Sequence, residues 1–305
     1  MKEKLKSIGL GFTLVITSYL ITNYFYSLLI SLLGYIVSFG NLSVDVLSNV
    51  LALVSTTIIA IVFYKVIFKT LKKETISKLE NIGLFGCLFF LFLFNDLFYL
   101  VPFTLLGIDY NSLNINLQTL CSIFSSTVLI TILFFIYKDY LKEKFLDFKK
   151  KENFNKYFDL GLKAWFIGLI GMSVCNLLIG SLTPVPEANN EVLVQDMLRQ
   201  SPYLTFISAA FLAPILEEML FRKSLSDMFK NKKVMVIASA LIFGLLHVIF
   251  SLKTPWDLLY TIPYGFLGGA FAYTMYKEDN VFIPITFHMI HNGVLTLISI
   301  ITTVI

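Results

Sequence analysis

Phe211-Leu212-Ala213-Pro214-Ile215-Leu216-Glu217-Glu218-Met219-Leu220-Phe221-Arg222 ends an apolar run, otherwise a membrane helix, in two adjacent carboxylates and an arginine. A charge held in hydrocarbon costs several kcal/mol, so two together call for a purpose. On a helix Glu218 and Arg222 are four apart, acid N-terminal to base, the favourable order for an ion pair. Glu217 then lies about 100° round the helix with no partner in this stretch. One reading has Arg222 holding Glu218 ionised and in place while Glu217 faces a reaction. The plainer reading is an interfacial salt bridge closing a helix end near the cytoplasm.

The rest of the chain supplies the solvent for this stretch. Hydrophobic residues make up 57% of 305 and charged residues 14%, against about 25% charged in a soluble domain. Several runs reach the ~20 residues needed to cross a bilayer. The expected fold is all-α, a polytopic membrane helix bundle of about eight to nine transmembrane helices. A net charge of +4 does not point to nucleic acid, because the basic residues are spread among short loops. Cys87, Cys121 and Cys175 lie inside apolar runs without motif spacing and read as packing residues. Lys2, Lys4 and Lys6 precede a long apolar run with no small-residue cleavage site, which reads as a retained first span.

Spans are expected near 9–38, 46–68, 83–107, 118–137, 160–182, 203–221, 234–252, 257–276 and 281–303. The connecting loops alternate in charge. Lys69, Lys72, Lys73 and Lys78, the stretch Lys138–Lys156, and Arg222–Lys233 are basic, whereas Glu187, Glu191 and Asp196 make the 184–200 connector acidic. By the positive-inside rule the N-terminus is cytoplasmic in the cell membrane. Phe145, Phe148 and Phe154 suggest that 138–158 is either an interfacial segment against anionic lipid headgroups or a solvated connector. Lys65 is placed to snorkel. Asn95 and Asp96 read as a buried polar pair that fixes packing, and Gly265 and Gly269 as a close helix contact.

All three histidines fall within residues 247–291, C-terminal to the glutamates. Phe243 and His247 are four apart in one span, and His288 and Asn292 four apart in another, so each pair shares a helix face. Two histidines, two carboxylates, an arginine and an asparagine in three spans form a set that packing alone does not require.

Glu217-Glu218-x-x-x-Arg222, Phe243-x-x-x-His247 and His288-x-x-x-Asn292, in that order and in spans, resemble the CPBP (Abi) family of intramembrane proteases. That family includes the type 2 CAAX prenyl endopeptidases and bacterial proteins linked to bacteriocin processing and immunity. The resemblance covers roughly 160–305 and implies two parts. Residues 1–158 would be N-terminal transmembrane helices with basic cytoplasmic loops, and 159–305 a catalytic transmembrane domain. It implies that Glu217 and His247 activate a water for attack on a peptide carbonyl. His288 and Asn292 would stabilise the oxyanion, Glu218 and Arg222 would support them, and Phe243 would pack the His247 helix. A carboxylate in a low-dielectric cavity suits a general base, and amide and imidazole N–H groups suit a developing oxyanion.

Metal is left open. Glu217, His247 and His288 could hold a zinc ion with a free fourth position, or the same residues could work without metal, and the absence of a His-Glu-x-x-His spacing leans towards the latter. His291, beside Asn292, points away from it and reads as outer support. The expected activity is that of an intramembrane endopeptidase, glutamate-type or metalloprotease, cutting a membrane-associated peptide or protein near the cytoplasmic leaflet. The expected partners are membrane lipids and that substrate. The alternative is a non-enzymatic bacteriocin immunity or membrane scaffold protein using the same fold.

Overall fold

In hydrocarbon every backbone N–H and C=O must find its partner within the chain, and a helix does this segment by segment. The computed structural model describes residues 2–34, 44–62 and 73–303, and no strand occurs among them. Among the described residues six helical segments are long and apolar enough to cross a membrane: Thr75–Leu93, Ile115–Phe148, Lys151–Leu182, Pro202–Ser224, Lys232–Ile249 and Phe282–Thr302. The protein is a multi-pass helical membrane protein. Lys65, Lys69 and Lys72 lie outside the described residues, as do the C-terminal ends of the first two expected spans.

The chain divides into units Met1–Phe90 and Leu91–Ile305. In the first, α1 (Lys2–Gly34) packs on α2 (Val44–Val62) and meets the first half of α3 (Lys73–Leu93). A Cβ on Gly83 would stand 2.1 Å from the Leu10 Cα, so only glycine permits this approach, and Thr13 Oγ1 donates to the Gly83 carbonyl at 2.8 Å.

The second unit holds α4 (Leu97–Leu105), α5 (Ile115–Phe148), α6 (Lys151–Leu182), α7 (Asn189–Gln200), α8 (Pro202–Ser224), α9 (Lys232–Ile249), α10 (Thr261–Glu278) and α11 (Phe282–Thr303). Four sequence expectations change here. The span expected at 83–107 breaks at Phe94–Asp96. Asp96 is exposed in that turn rather than buried with Asn95, and its carboxylate makes no capping hydrogen bond to the start of the helix that follows. The expected connector 138–158 is almost wholly helical, with only Lys149 and Lys150 between α5 and α6. The span expected at 257–276 starts at Thr261, after a 3₁₀ turn over Pro255–Tyr260.

The aromatic residues of the α5–α6 hairpin serve packing as well as surface. Phe148 lies 5.8 Å from Phe154, 6.0 Å from Tyr157 and 6.2 Å from Phe282 between ring centroids. The hairpin is tied to the α10–α11 turn, where Asp279 takes the left-handed conformation at φ 46°. Asn280 Nδ2 donates to the Lys144 carbonyl at 3.0 Å, and the Val281 N–H donates to Tyr140 Oη at 3.1 Å. Beneath lies a buried cluster of Tyr157, Leu267, Phe271, Ile283 and Phe287.

α9 and α10 approach closely at Gly244, where a Cβ would meet the Thr261 carbonyl at 2.3 Å. Gly265 and Gly269 face Ala240 across the same contact, the packing role their spacing suggested.

α8 departs from regular helix twice, in π turns over Ser208–Leu212 and Met219–Ser224 on either side of Ala213–Glu218. The first has a local cause. The Ala213 N–H reaches back five residues to Ser208, and the next donor in that register is Pro214, which has none. Ala209 is thereby left with a carbonyl that the helix does not satisfy. Such π turns often sit at functional sites, and these two flank the glutamate pair.

Candidate active site

Glu217 and Glu218 are neighbours on α8 and enter different environments. Glu218 is fully buried between two partners. Its Oε2 is 2.9 Å from Arg222 Nε, an ion pair lying off the N–H axis, and its Oε1 accepts from His288 Nδ1 at 2.8 Å. Arg222 is also fully buried, donates from Nη2 to the Gly268 carbonyl at 3.1 Å, and lays its guanidinium 4.5 Å from the centroid of the Phe243 ring. A charge pair at this depth is maintained by such additional contacts, and removing one member would leave the other uncompensated. Gly268 has no room for a side chain, because a Cβ would stand 2.8 Å from the Phe243 ring.

Glu217 faces the other way. Its Oε2 is buried and makes no hydrogen bond with any described residue, and it lies 4.0 Å from His247 Nε2. The His247 ring is held between Phe243 at 4.3 Å and Tyr264 at 4.6 Å, the latter stacked at 27°. His247 Nδ1 is 2.8 Å from the Phe243 carbonyl. A carbonyl only accepts, so Nδ1 carries the proton and Nε2 of the neutral ring is a bare lone pair. Two acceptors thus confront each other across a gap too wide for a direct hydrogen bond.

His288 follows the same logic, since its Nδ1 must donate to the carboxylate of Glu218. Its ring is stacked 5.1 Å from Phe271 and meets Phe243 edge-on at 5.7 Å. Asn292, one turn further along α11, donates from Nδ2 to the Ala209 carbonyl at 2.9 Å. This is the group that Pro214 leaves without a main-chain donor. Asn292 therefore ties α11 to the first π turn of α8 with one of its two amide hydrogens, and the second remains for the cavity.

Glu217, His247, His288 and Asn292 line one cavity of about 310 Å³, and Glu218 and Arg222 stand behind its wall. The cavity also has residues that sequence reasoning passed over. Tyr264 lines it and accepts from Asn190 Nδ2 at 3.5 Å, and Glu191 and Val194 of α7 close one side. Burial lifts the Glu191 carboxyl above the usual carboxylate range, and Glu187 adds to the rise. His291, expected to be an outer support, lines the same cavity and accepts from Trp165 Nε1 at 3.3 Å. Trp165 carried a usable signal: a tryptophan within a span needs an acceptor for its indole N–H, and the chain has only two.

α7 is anchored over the cavity by Asp257. Its Oδ1 accepts from Asn189 Nδ2 at 2.9 Å, and its Oδ2 accepts from the Lys253 N–H at 2.8 Å and the Thr254 N–H at 2.6 Å. Burial alone would raise this carboxyl, but the Thr254 and Lys253 amides outweigh it and hold it below its usual range. No residue of the basic stretches 138–156 and 223–233 lines the cavity. Its acidic side comes instead from Glu191 of α7.

Glu217, His247 and His288 are the donors of the three-ligand zinc site that the sequence allowed. Histidines with Nδ1 anchored and Nε2 bare have the chemistry of metal ligands. The spacing does not match. Ligand bonds of 2.0–2.1 Å at tetrahedral angles need Oε2 and Nε2 about 3.3 Å apart, and the 4.0 Å observed would force a nearly linear arrangement. Among the described residues no three His, Cys, Asp or Glu side chains gather in a geometry able to hold a metal ion.

Residues 199–294 match the family model described as Type II CAAX prenyl endopeptidase Rce1-like. That stretch contains Glu217, Glu218, Arg222, Phe243, His247, His288 and Asn292, so the likeness read from the three motifs is shown. Two curated proteins are similar over part of the chain. YdiL of Bacillus subtilis (strain 168), named as a candidate membrane peptidase, is 28% identical over 109 residues, 35% of this chain and 41% of YdiL. YxdF of Lactococcus lactis subsp. lactis (strain IL1403), a UPF0177 protein, is 27% identical over 136 residues, 42% of this chain and 72% of YxdF. The chain thus spans under half the length of the first of these. No solved structure matches it.

Proposed function

We propose that this protein is an intramembrane endopeptidase hydrolysing a peptide bond in a membrane-associated peptide or protein. One observation carries the reading: Glu217 Oε2, buried and without a hydrogen-bond partner, faces the bare Nε2 of His247 across 4.0 Å inside the cavity. Two acceptors at that separation are bridged by one water that donates a proton to each, at ordinary hydrogen-bond lengths. A water held this way has its oxygen lone pairs turned towards whatever occupies the cavity.

In the reaction the water oxygen forms the new bond to the peptide carbonyl carbon while Glu217 takes its proton. The carbonyl π pair moves onto oxygen. It meets the second amide hydrogen of Asn292, and also His288 when that ring is protonated beside Glu218. As the C–N bond breaks, the proton passes to the leaving nitrogen, giving a carboxylic acid and an amine. Glu218 and Arg222 hold the His288 ring and keep the second charge out of the cavity. Because α7 walls the cavity, the scissile bond is presented from the face bearing the 184–200 connector. The basic stretches 138–156 and 223–233 and the N-terminus are assigned to the cytoplasm.

The test uses purified protein in detergent and a quenched fluorogenic peptide carrying a twenty-residue apolar segment. Wild type should cut it, and Glu217→Gln and His247→Ala should not. Cutting by Glu217→Gln at the wild-type rate would refute the reading. So would a wild-type protein that leaves such peptides intact and instead binds a membrane-active peptide without change to it.

A further inference from the structure

We propose that His291 is a catalytic hydrogen-bond donor of this site, presenting Nε2–H to the oxyanion, and that Trp165 is the positioning residue that fixes its tautomer. The inference rests on the hydrolytic reading above and adds a residue that reading does not use.

The indole Nε1 of Trp165 can only donate. Its contact with His291 Nδ1, at 3.3 Å, therefore makes Nδ1 an acceptor and leaves the ring proton on Nε2. Trp165 is not among the residues that line the cavity, whereas His291 is. The ring thus turns Nδ1 outward to Trp165 and its far edge inward. His291 is buried, with 5% of its surface exposed, and no described residue lies within hydrogen-bond reach of its Nε2. An N–H that opens onto the cavity without a protein partner is a donor left for a ligand atom.

The other two histidines of the site have the opposite polarity. His247 and His288 each spend Nδ1–H on an oxygen, the Phe243 carbonyl and the Glu218 carboxylate, and turn a bare Nε2 towards the cavity when neutral. Asn292 has one amide hydrogen committed to Ala209. Of the three imidazoles, His291 alone presents an N–H to the cavity in its neutral form, beside the second amide hydrogen of Asn292. An oxyanion is stabilised by donors already oriented before charge develops, and a ring fixed on its outer edge by a buried indole meets that condition. Acceptors for the water and donors for the carbonyl oxygen then separate by tautomer among three imidazoles in one cavity.

Two measurements test this on the full chain in detergent. The first is the nitrogen spectrum of the protein labelled with ¹⁵N-histidine, the three rings being assigned by single His→Gln variants. His291 should be protonated at Nε2 in the wild type, and in Trp165→Phe it should shift towards the Nδ1–H form. A wild-type His291 protonated at Nδ1 overturns the proposal whether or not any peptide is cut. The second is cleavage of the quenched apolar peptide. His291→Ala should lower kcat by about 10²–10³ with KM unchanged. His291→Gln, whose amide nitrogen reaches the Nε2 position, should recover most of that loss, and His291→Asn should not. His291→Ala with wild-type kcat beside an inactive Glu217→Gln overturns the donor role and leaves the hydrolytic reading standing. Glu217→Gln cutting at the wild-type rate removes both.

Discussion

Asn292 Nδ2 donates at 2.9 Å to the carbonyl of Ala209, a group that Pro214 deprives of its main-chain donor. The asparagine of the third motif is therefore bound to a backbone irregularity five residues ahead of Pro214. Loss of Asn292 should cost stability as well as activity, by about 1–3 kcal/mol for a buried carbonyl left unsatisfied. In a Pro214→Ala background residue 214 regains its N–H, and the stability cost of Asn292→Ala should shrink. Thermal unfolding of the two single variants and the double variant measures this coupling. Strict additivity would show that the Asn292–Ala209 contact is incidental.

The two glutamates should separate by phenotype. Glu217→Gln removes an unpartnered carboxylate and should leave the protein at wild-type level but inactive. Glu218→Gln or Arg222→Ala breaks a fully buried pair, which costs about 3–5 kcal/mol, and both should lower the amount of folded protein in membranes. Quantifying each variant in solubilised membranes beside its cleavage rate checks the assignment. Normal levels of Glu218→Gln with full activity would contradict it.

Much of this arrangement was legible in the sequence, and the parts that were not share a cause. A four-residue step is a local rule, so Glu218 with Arg222 and His288 with Asn292 could be put on common helix faces without a structure. Which oxygen or nitrogen each residue turns to depends on residues far along the chain. His288 reaches Glu218 across 70 positions, and Trp165 reaches His291 across 126. Nothing in the spacing around His291 announces the indole that sets its tautomer. The π turns of α8 were hidden for a related reason, because a proline in an apolar run reads as a kink and its effect on one carbonyl appears only in the bonding pattern. The 138–158 stretch misled in the opposite direction. Its charge reads as loop, yet its phenylalanines pack on Phe282 and Tyr157, and tertiary contact carries the helices almost to the turn.

The water-bridged reading makes a direct statement about metal. With Glu217 Oε2 and His247 Nε2 at 4.0 Å, purified protein should contain no stoichiometric zinc, and cleavage should survive prolonged chelation. Elemental analysis and activity after dialysis against a chelator provide the check. Stoichiometric zinc that leaves on His247→Ala or His288→Ala, together with activity, would require the side chains to close into a ligand set and would replace this mechanism.

Orientation is testable at the short α5–α6 turn. In a background with Cys87, Cys121 and Cys175 replaced, Lys150→Cys should react with an impermeant maleimide only after cells are opened. Glu187→Cys, in the connector near the cavity, should react in intact cells. Labelling of Lys150→Cys in intact cells would invert the topology and put the cavity on the cytoplasmic side.

The central claim is that the unpartnered carboxylate of Glu217 drives cleavage of a substrate in the membrane. Comparing the membrane-peptide profiles of cells carrying wild type and Glu217→Gln at matched protein level tests it most directly. The account predicts fragments that appear with wild type and are absent with Glu217→Gln, with their uncut precursors accumulating in the variant. Indistinguishable profiles at equal protein levels would contradict it.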